Sequence, residues 1–231
     1  AGCAALEHVL NGEETMPEAM GLFLQHTWRL HPLICHFTSE QYYDGRLQSQ
    51  SGLENQTLAG SSLLIGPGLR FVPVPHTDNH NRSDEEVKVI AAIIQELCDG
   101  THFWTNMKGE RAVLSLDGIL VVAPYNAQVS ALRAALPSGA RIGTVDKFQG
   151  QEAPIVIYSM SSSSVFDAPR GMGFLFSRNR MNVATSRARC QVVLVGSPAL
   201  FTPHCETPDH IRLANGFCRF MELAETITRN P

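Results

Sequence analysis

Polar side chains that could hold a nucleotide are concentrated in the segment Thr144–Glu152, which reads TVDKFQGQE. Phe148 can anchor this loop in the core while Glu152 points outward, and Gly150 lets the backbone come close to a ligand. A carboxylate such as that of Glu152 can accept hydrogen bonds from ribose hydroxyls. The pattern is equally typical of an ordinary polar turn with Gly150 at positive φ, so both interpretations stay open.

A second candidate segment, RMNVATSRAR, runs from Arg180 to Arg189. On a helix, Arg180 and Arg187 would lie on one face, because they are seven residues apart. A guanidinium held rigidly on a helix is suited to clamping a phosphoryl group. A solvated basic face is the commoner explanation of such a run, but the apolar residues around these arginines argue against it.

Two shorter segments could also contact a ligand. Arg29 stands beside a tryptophan and shortly before a proline, which by itself is more typical of a surface arginine. In the segment PYNAQ, Tyr125 could stack on a base, while Asn126 and Gln128 could bond to phosphate or sugar. Alternatively, or in addition, Asn126 caps the helix that follows.

The elements that must position these residues alternate between apolar strands and helices, which predicts an α/β fold with a mostly parallel sheet covered on both sides. Ligands then bind in loops beyond the carboxyl ends of the strands. Ser83 and Glu86 form a capping-box pattern that starts one of the helices. The predicted strands are Leu69–Val74, Ile119–Ala123, Arg141–Val145, Ile155–Met160 and Val192–Gly196, and the predicted helices are Pro32–Tyr43, one behind Ser83, one from Asn126, Met181–Arg189 and Ile211–Thr228.

Composition limits the classes of protein that the chain can represent. Its 231 residues suit one large domain or two small ones. With 18 basic and 22 acidic residues the net charge is −4, which excludes a strongly basic nucleic-acid coat. No apolar run reaches the ~18 residues of a membrane span. Six scattered cysteines and the lack of a secretory signal predict a reduced, cytoplasmic setting, and the start without Met suggests a fragment.

Two groups of residues superficially resemble metal sites. His76 and His80, with Asp78 and Asp84, occur together, but their place before a helix cap predicts a solvated loop. A second group has long, irregular spacings and makes a poor site; it comprises Cys190, Cys205, Cys218, His204 and His210. We therefore predict no metal site in the chain itself.

In their order and spacing, the four segments resemble the second motor domain of superfamily 1 helicases, in the branch that contains the nonsense-decay helicase and senataxin. Within that branch the chain is most similar to bacterial proteins that fuse a RecB-like nuclease to a helicase. The resemblance spans residues 27–196 and implies a three-layer RecA-like fold of the P-loop NTPase type, without the P-loop itself. Residues 1–231 would form this one domain, with 1–26 as a linker from a preceding motor domain and 45–68 as a loop excursion.

The resemblance also implies a role for each matching residue. Arg29 would contact the terminal phosphate of ATP, and Arg187 would be the arginine finger. It further places Glu152 at the ribose and the Gly150 backbone near the phosphates. Arg180 is also assigned to nucleotide binding. On the nucleic-acid side the resemblance places Thr144, Asp146, Tyr125, Asn126 and Gln128.

The sequence contains no G-x-x-x-x-G-K-[ST] loop. The resemblance therefore implies that ATP and Mg²⁺ are held mainly by a first RecA-like domain of the same polypeptide, and that this chain alone is inactive. Expected partners are single-stranded nucleic acid, with DNA favoured over RNA, and a fused nuclease domain, but no membrane. Two alternatives stay open: a nucleic-acid-binding or docking module with a decayed motor, and, more remotely, a small-molecule α/β enzyme.

Overall fold

The computed structural model describes Leu10, Pro17, residues 20–148 and residues 150–228. Numbered along the described chain, its strands are β1 His26–Thr27, β2 Gln48–Ser49, β3 Thr57–Ala59, β4 Gly68–Pro73, β5 Phe103–Thr105, β6 Arg111–Val113, β7 Ile119–Val122, β8 Arg141–Gly143, β9 Ala153–Ser159, β10 Ala188–Gly196 and β11 Glu225–Thr226. Its helices are α1 Pro32–Tyr42, α2 Asp84–Leu97, α3 Asn126–Ala135, α4 Met172–Leu175, α5 Arg178–Thr185 and α6 Pro208–Leu223.

A parallel sheet forms the middle layer of the described chain. Its strand order is β11-β4-β10-β9-β7-β8, and every neighbouring pair is parallel. Its inner strands are buried on both faces, and their side chains alternate between two cores: in β9, Ile155 and Ile157 join one core while Val156 and Tyr158 join the other. The predicted α/β architecture is confirmed and is consistent with a RecA-like fold.

Helices cover both faces of the sheet. Helices α2 and α3 pack on one face through residues such as Ile90 and Leu132, and α1, α4, α5 and α6 pack on the other. Ser83 caps α2 as predicted, since its hydroxyl accepts from the backbone N–H of Glu86 at 3.1 Å. The reciprocal half of the capping box is supplied by another residue: the Ser83 N–H donates to Gln128 Oε1 at 2.8 Å.

The predicted loop excursion at residues 45–68 is wrong in part. This segment contains β2, a short 3-10 helix at Leu53–Asn55, and β3. Strand β2 pairs parallel with β1, whereas β3 pairs antiparallel with β5, which pairs antiparallel with β6; the segment therefore contributes to two small sheets. Of the predicted linker at residues 1–26, only Leu10, Pro17 and residues 20–26 lie within the described chain.

The junction between α5 and β10 also differs from the prediction. The helix ends at Thr185 instead of Arg189, and β10 begins at Ala188 instead of Val192. Pairing with the neighbouring strand decides this, because Ala188 stands opposite Ala153 of β9. The last helix likewise ends at Leu223, and Thr226 then pairs with β4. No helix in the described part of the chain combines the length and apolar character needed to cross a membrane.

Candidate functional site

Glu152 and Arg187 lie side by side at the edge of the sheet where β9 and β10 begin. Each directly precedes its strand, and the N–H of Ala153 donates to the carbonyl of Arg187 at 3.0 Å. The sequence predicts ligand-binding residues beyond the carboxyl ends of strands. For this pair that prediction is wrong, because both residues stand at the amino ends.

The backbone of Arg29 is attached to the same edge. The N–H of His31 donates to the carbonyl of Arg189 at 2.9 Å. The Gln56 amide bridges the two segments by donating to the carbonyls of Arg29, at 2.9 Å, and Arg189, at 3.0 Å. Because Gln56 is buried, these bonds are shielded from water and hold Arg29 against the start of β10.

The carboxylate of Glu152 accepts from two arginines. Arg29 donates through Nε, and Arg189 donates through Nε at 3.1 Å and through Nη2. Burial by itself would raise the pKa of Glu152, but the hydrogen bonds from Arg29 and Arg189 outweigh it and hold the pKa below its ordinary value. Arg29 is fixed further by donation from Nη1 to the carbonyl of Ser186 at 3.0 Å.

Arg187 stands beside Arg29 and Glu152 but forms no salt bridge with any carboxylate that the structure describes. Its Nε is buried and has no hydrogen-bond partner among the described residues. Burial lowers the pKa of Arg187, and the neighbouring charge of Arg29 lowers it further. We call Arg29, Glu152, Arg187 and Arg189 the amino-edge cluster. As far as the chain is described, it sets three guanidinium groups against one carboxylate.

The chemistry of the amino-edge cluster suits an anionic ligand such as a phosphate group. Guanidinium groups match the geometry of phosphate oxygens, and a buried N–H without a partner gains most from binding one. The structure thus brings together Arg29, Glu152 and Arg187, which the sequence places far apart. Arg189 is absent from the sequence-based site. Only its contact with Glu152 identifies Arg189, because the pairing of β10 with β9 shifts register between Ala188 and Gln191.

Arg180 does not belong to the amino-edge cluster, which corrects the sequence-based assignment. Helix α5 ends before Arg187, so the shared helix face predicted for Arg180 and Arg187 does not exist. The Arg180 guanidinium lies instead 3.9 Å from the centre of the Phe174 ring. Gly150 is exposed with φ +81° and open space around it, a conformation that leaves room for a close ligand. Its neighbour Gln149 lies outside the described residues.

A second group of predicted residues meets at the opposite, carboxyl edge of the sheet. Asn126 starts α3 just after β7, and Thr144 directly follows β8. The two strands pair, and the N–H of Ala123 donates to the carbonyl of Gly143 at 3.2 Å, so the two loops are neighbours. Asn126 and Asp146 are exposed. Asn126 is not the helix cap, because Tyr125 occupies that position and makes no side-chain cap bond.

Gln128 and Tyr125 are buried, which corrects their assignment as nucleic-acid contacts in this structure. The Gln128 amide donates to Ser159 Oγ at 2.9 Å and to the Ser83 carbonyl at 3.2 Å, and its side chain is fully covered. Tyr125 is 7% exposed, and its ring packs 5.3 Å from that of Phe174. Both residues therefore support the loops at this edge from inside.

Of the four residues first considered as a metal site, Asp78, His80 and Asp84 are exposed as predicted, but His76 is not. The side chain of His76 is fully covered; its Nε2 lies 3.0 Å from Glu86 and its Nδ1 lies 2.7 Å from Ser163 Oγ. Glu86, also fully buried, additionally accepts from Ser159 Oγ at 2.5 Å and from the N–H of Ser161 at 3.0 Å. These bonds make the group a structural network. Among the residues that the structure describes, no three His, Cys, Asp or Glu side chains converge as a metal site.

Comparison with known proteins identifies the relatives of this chain. A family model described as "AAA domain" matches residues 6–199. The chain is 29% identical over 186 residues to helicase sen1 of Schizosaccharomyces pombe. The match covers 74% of this chain and 10% of that protein. It is 26% identical over 194 residues to the regulator of nonsense transcripts 1 homolog of Arabidopsis thaliana. That match covers 78% of this chain and 15% of that protein.

Among solved structures, the C-terminal domain of a possible DNA helicase from Lactobacillus plantarum is similar with a TM-score of 0.45 and 15% identity, over 87% of this chain and 98% of that one. The chain spans only a small part of the curated relatives that it matches. The family match covers most of the 231 residues, and its helicase relatives support a superfamily 1 helicase motor domain. The chain therefore belongs to the AAA domain family that this model describes.

Proposed function

We propose that the chain is the second motor domain of an ATP-dependent nucleic-acid helicase or translocase. The observation that carries this proposal is the amino-edge cluster, in which Arg29, Glu152 and Arg187 meet although the sequence separates them widely. The cluster has an excess of positive charge and a buried, unpartnered Nε on Arg187, as far as the chain is described. Both features favour a phosphate ligand held from outside the domain.

Each residue of the cluster has a distinct task at the nucleotide in this proposal. Arg187 stabilises the charge that develops on the phosphoryl group in transfer, and Arg29 contacts the terminal phosphate. Glu152 accepts from a ribose hydroxyl. A carboxylate has about four acceptor positions, and Arg29 and Arg189 use three of them, so one position is left for the ribose.

The other half of the site comes, in this proposal, from a first RecA-like domain of the same polypeptide. That domain would hold the β-phosphate and Mg²⁺, for which this chain has no G-x-x-x-x-G-K-[ST] loop. Bound Mg²⁺ neutralises charge on the phosphates. This chain's own residues orient the nucleotide and supply cations to its terminal phosphate. The isolated chain is therefore expected not to hydrolyse ATP.

Single-stranded nucleic acid would contact the carboxyl edge, where Asn126, Thr144 and Asp146 lie. Nucleotide and nucleic acid then act on opposite edges of the same sheet. The net charge of −4 is compatible with contacts to a few phosphates of one strand. DNA is favoured over RNA, and a fused RecB-like nuclease domain and a cytoplasmic location stay predictions.

Steady-state ATP hydrolysis tests the proposal. The longer protein that the proposal requires should hydrolyse ATP, and single-stranded DNA or RNA should stimulate it, while the 231-residue chain alone should not. If the longer protein binds single strands but turns over no ATP, the chain is a docking module with a decayed motor. If the isolated chain binds ATP tightly without a partner, the motor proposal is wrong and a self-contained enzyme replaces it.

A further inference from the structure

We infer that Arg170, Phe174 and Arg180 form a binding platform for the phosphates and bases of single-stranded nucleic acid. We call these three residues the arginine–phenylalanine platform. The inference rests on the proposed function, because it names a further contact on the nucleic-acid side of the same domain. It also gives Arg180 a role that differs from the nucleotide contact expected from the sequence.

The geometry of the platform holds both guanidinium groups on one aromatic ring. The Arg170 guanidinium carbon lies 3.8 Å from the centre of the Phe174 ring, and that of Arg180 lies 3.9 Å from it. Arg180 also donates from Nη1 to the carbonyl of Phe174 at 3.4 Å. Cation–π contact restricts the two arginine side chains before any ligand binds, which lowers the entropy lost on binding.

The charges of the platform are not neutralised within the described chain. Arg170 is exposed, and neither it nor Arg180 forms a salt bridge with any carboxylate that the structure describes. By contrast, Arg82 pairs with Asp84, and Arg219 pairs with Glu40 and Glu222. Two uncompensated cations over one ring, in a chain of net charge −4, therefore favour an anionic partner.

The position of the platform favours nucleic acid as that partner. The Phe174 ring lies 5.3 Å from the ring of Tyr125, which directly follows β7 and precedes the exposed Asn126. The platform thus adjoins the carboxyl edge where Asn126 and Thr144 lie, away from the amino-edge cluster. A guanidinium held over a ring can bind a phosphate through its N–H groups, and arginine side chains also stack on bases.

Fluorescence anisotropy with labelled dT₂₀ and rU₂₀ between 50 and 200 mM salt tests the inference on the 231-residue chain. Arg170→Ala and Arg180→Ala should each weaken binding and reduce the slope of log K against log salt by about 0.7, and the double variant by about 1.4. Arg219→Ala is the matched control, because it removes one positive charge that carboxylates already neutralise. Thermal unfolding verifies that each variant folds, and the exposed Arg170 makes its variant the decisive one.

The outcomes separate this inference from the proposed function. If Arg170→Ala and Arg180→Ala bind like Arg219→Ala while Asn126→Ala binds weakly, the platform is wrong and the nucleic-acid edge stands. If the unmodified chain binds neither oligonucleotide at 50 mM salt, the inference of a platform is also wrong. ATP hydrolysis by the longer protein then still tests the proposed function independently. Tighter binding of dT₂₀ or of rU₂₀, together with the expected loss in both variants, supports the platform and identifies the preferred strand.

Discussion

Replacing Arg189 should lower the stability of the chain, whereas replacing Arg187 should leave it unchanged or raise it. The two arginines are two residues apart, and both belong to the amino-edge cluster. Arg189 donates two hydrogen bonds to Glu152, whereas the Nε of Arg187 is buried without a partner among the described residues. Arg189→Ala therefore removes favourable contacts, while Arg187→Ala removes an unsatisfied group.

The magnitudes follow from burial and bonding. Hydrogen bonds to a charged group contribute about 1.5–3 kcal/mol when buried. The side chains of Arg189 and Glu152 are 37% and 30% exposed, so solvent screening reduces the loss in Arg189→Ala to about 1 kcal/mol. Arg187→Ala should gain up to about 1 kcal/mol by removing the unpartnered Nε and the repulsion from Arg29, offset in part by the lost contacts of its alkyl chain.

Thermal unfolding followed by circular dichroism measures both changes. In a domain of this size, about 1 kcal/mol corresponds to a Tm shift of about 2–4 °C. Arg189→Ala should lower Tm by that amount, and Arg187→Ala should leave Tm unchanged or raise it by up to about 3 °C. Because salt screens the repulsion between Arg29 and Arg187, any gain should shrink at 1 M NaCl. The reasoning is refuted if Arg187→Ala lowers Tm as much as Arg189→Ala does.

Three further predictions concern other buried or coupled groups. Glu152→Gln should lower the free energy of unfolding at pH 7. The difference from the unmodified chain should vanish as the pH falls below the ordinary carboxyl pKa of 4.5 and through the lowered pKa of Glu152. Urea titrations from pH 7 to 3 measure this difference, and a difference that stays constant with pH contradicts the prediction. Glu86→Gln should lower the free energy of unfolding by about 3 kcal/mol, because it disrupts a fully buried network. The control Glu85→Gln changes an exposed residue of the same helix and should lower it by less than about 1 kcal/mol. Equal losses in urea unfolding would show that the network is not structural. Burial raises the pKa of Cys190 to about 12, so iodoacetamide at pH 8 should label it only after unfolding, and mass spectrometry showing rapid native labelling would disprove this.

The parallel sheet could be predicted from the sequence because its strands are buried on both faces. Such strands read as short, continuous apolar runs rich in β-branched residues, as in Ile119–Val122. The small antiparallel sheet could not be predicted, because β3, β5 and β6 have only three residues each. Runs that short carry no readable alternation of polar and apolar residues.

The start of β10 at Ala188 could not be predicted from the sequence for a different reason. Polar residues interrupt its apolar run, and Gln191 gives no sign of burial in the sequence. In the structure its amide donates to the carbonyls of Leu64, at 3.1 Å, and Gly66, at 3.0 Å, more than a hundred residues away. Only this tertiary contact explains why a fully buried glutamine belongs to a strand.

Three of the four residues of the amino-edge cluster could be named from the sequence, but their geometry and the fourth residue, Arg189, could not. Arg29, Glu152 and Arg187 come from motif order, whereas the salt bridges that join Glu152 to Arg29 and Arg189 depend on strand register. Gln128 was misassigned because a polar residue after a strand has the same appearance whether it faces a ligand or a buried serine. Its partners Ser83 and Ser159 are 45 and 31 residues away in the chain.

The central claim is that Arg187 acts on ATP that a second domain holds. The most direct test is nucleic-acid-stimulated ATP hydrolysis by the longer protein carrying Arg187→Ala, with Arg219→Ala as the matched control. The account predicts that Arg187→Ala lowers kcat by about 10³-fold or more with the fold intact, while Arg219→Ala leaves kcat unchanged. Stimulated hydrolysis at the unmodified rate in Arg187→Ala would contradict it.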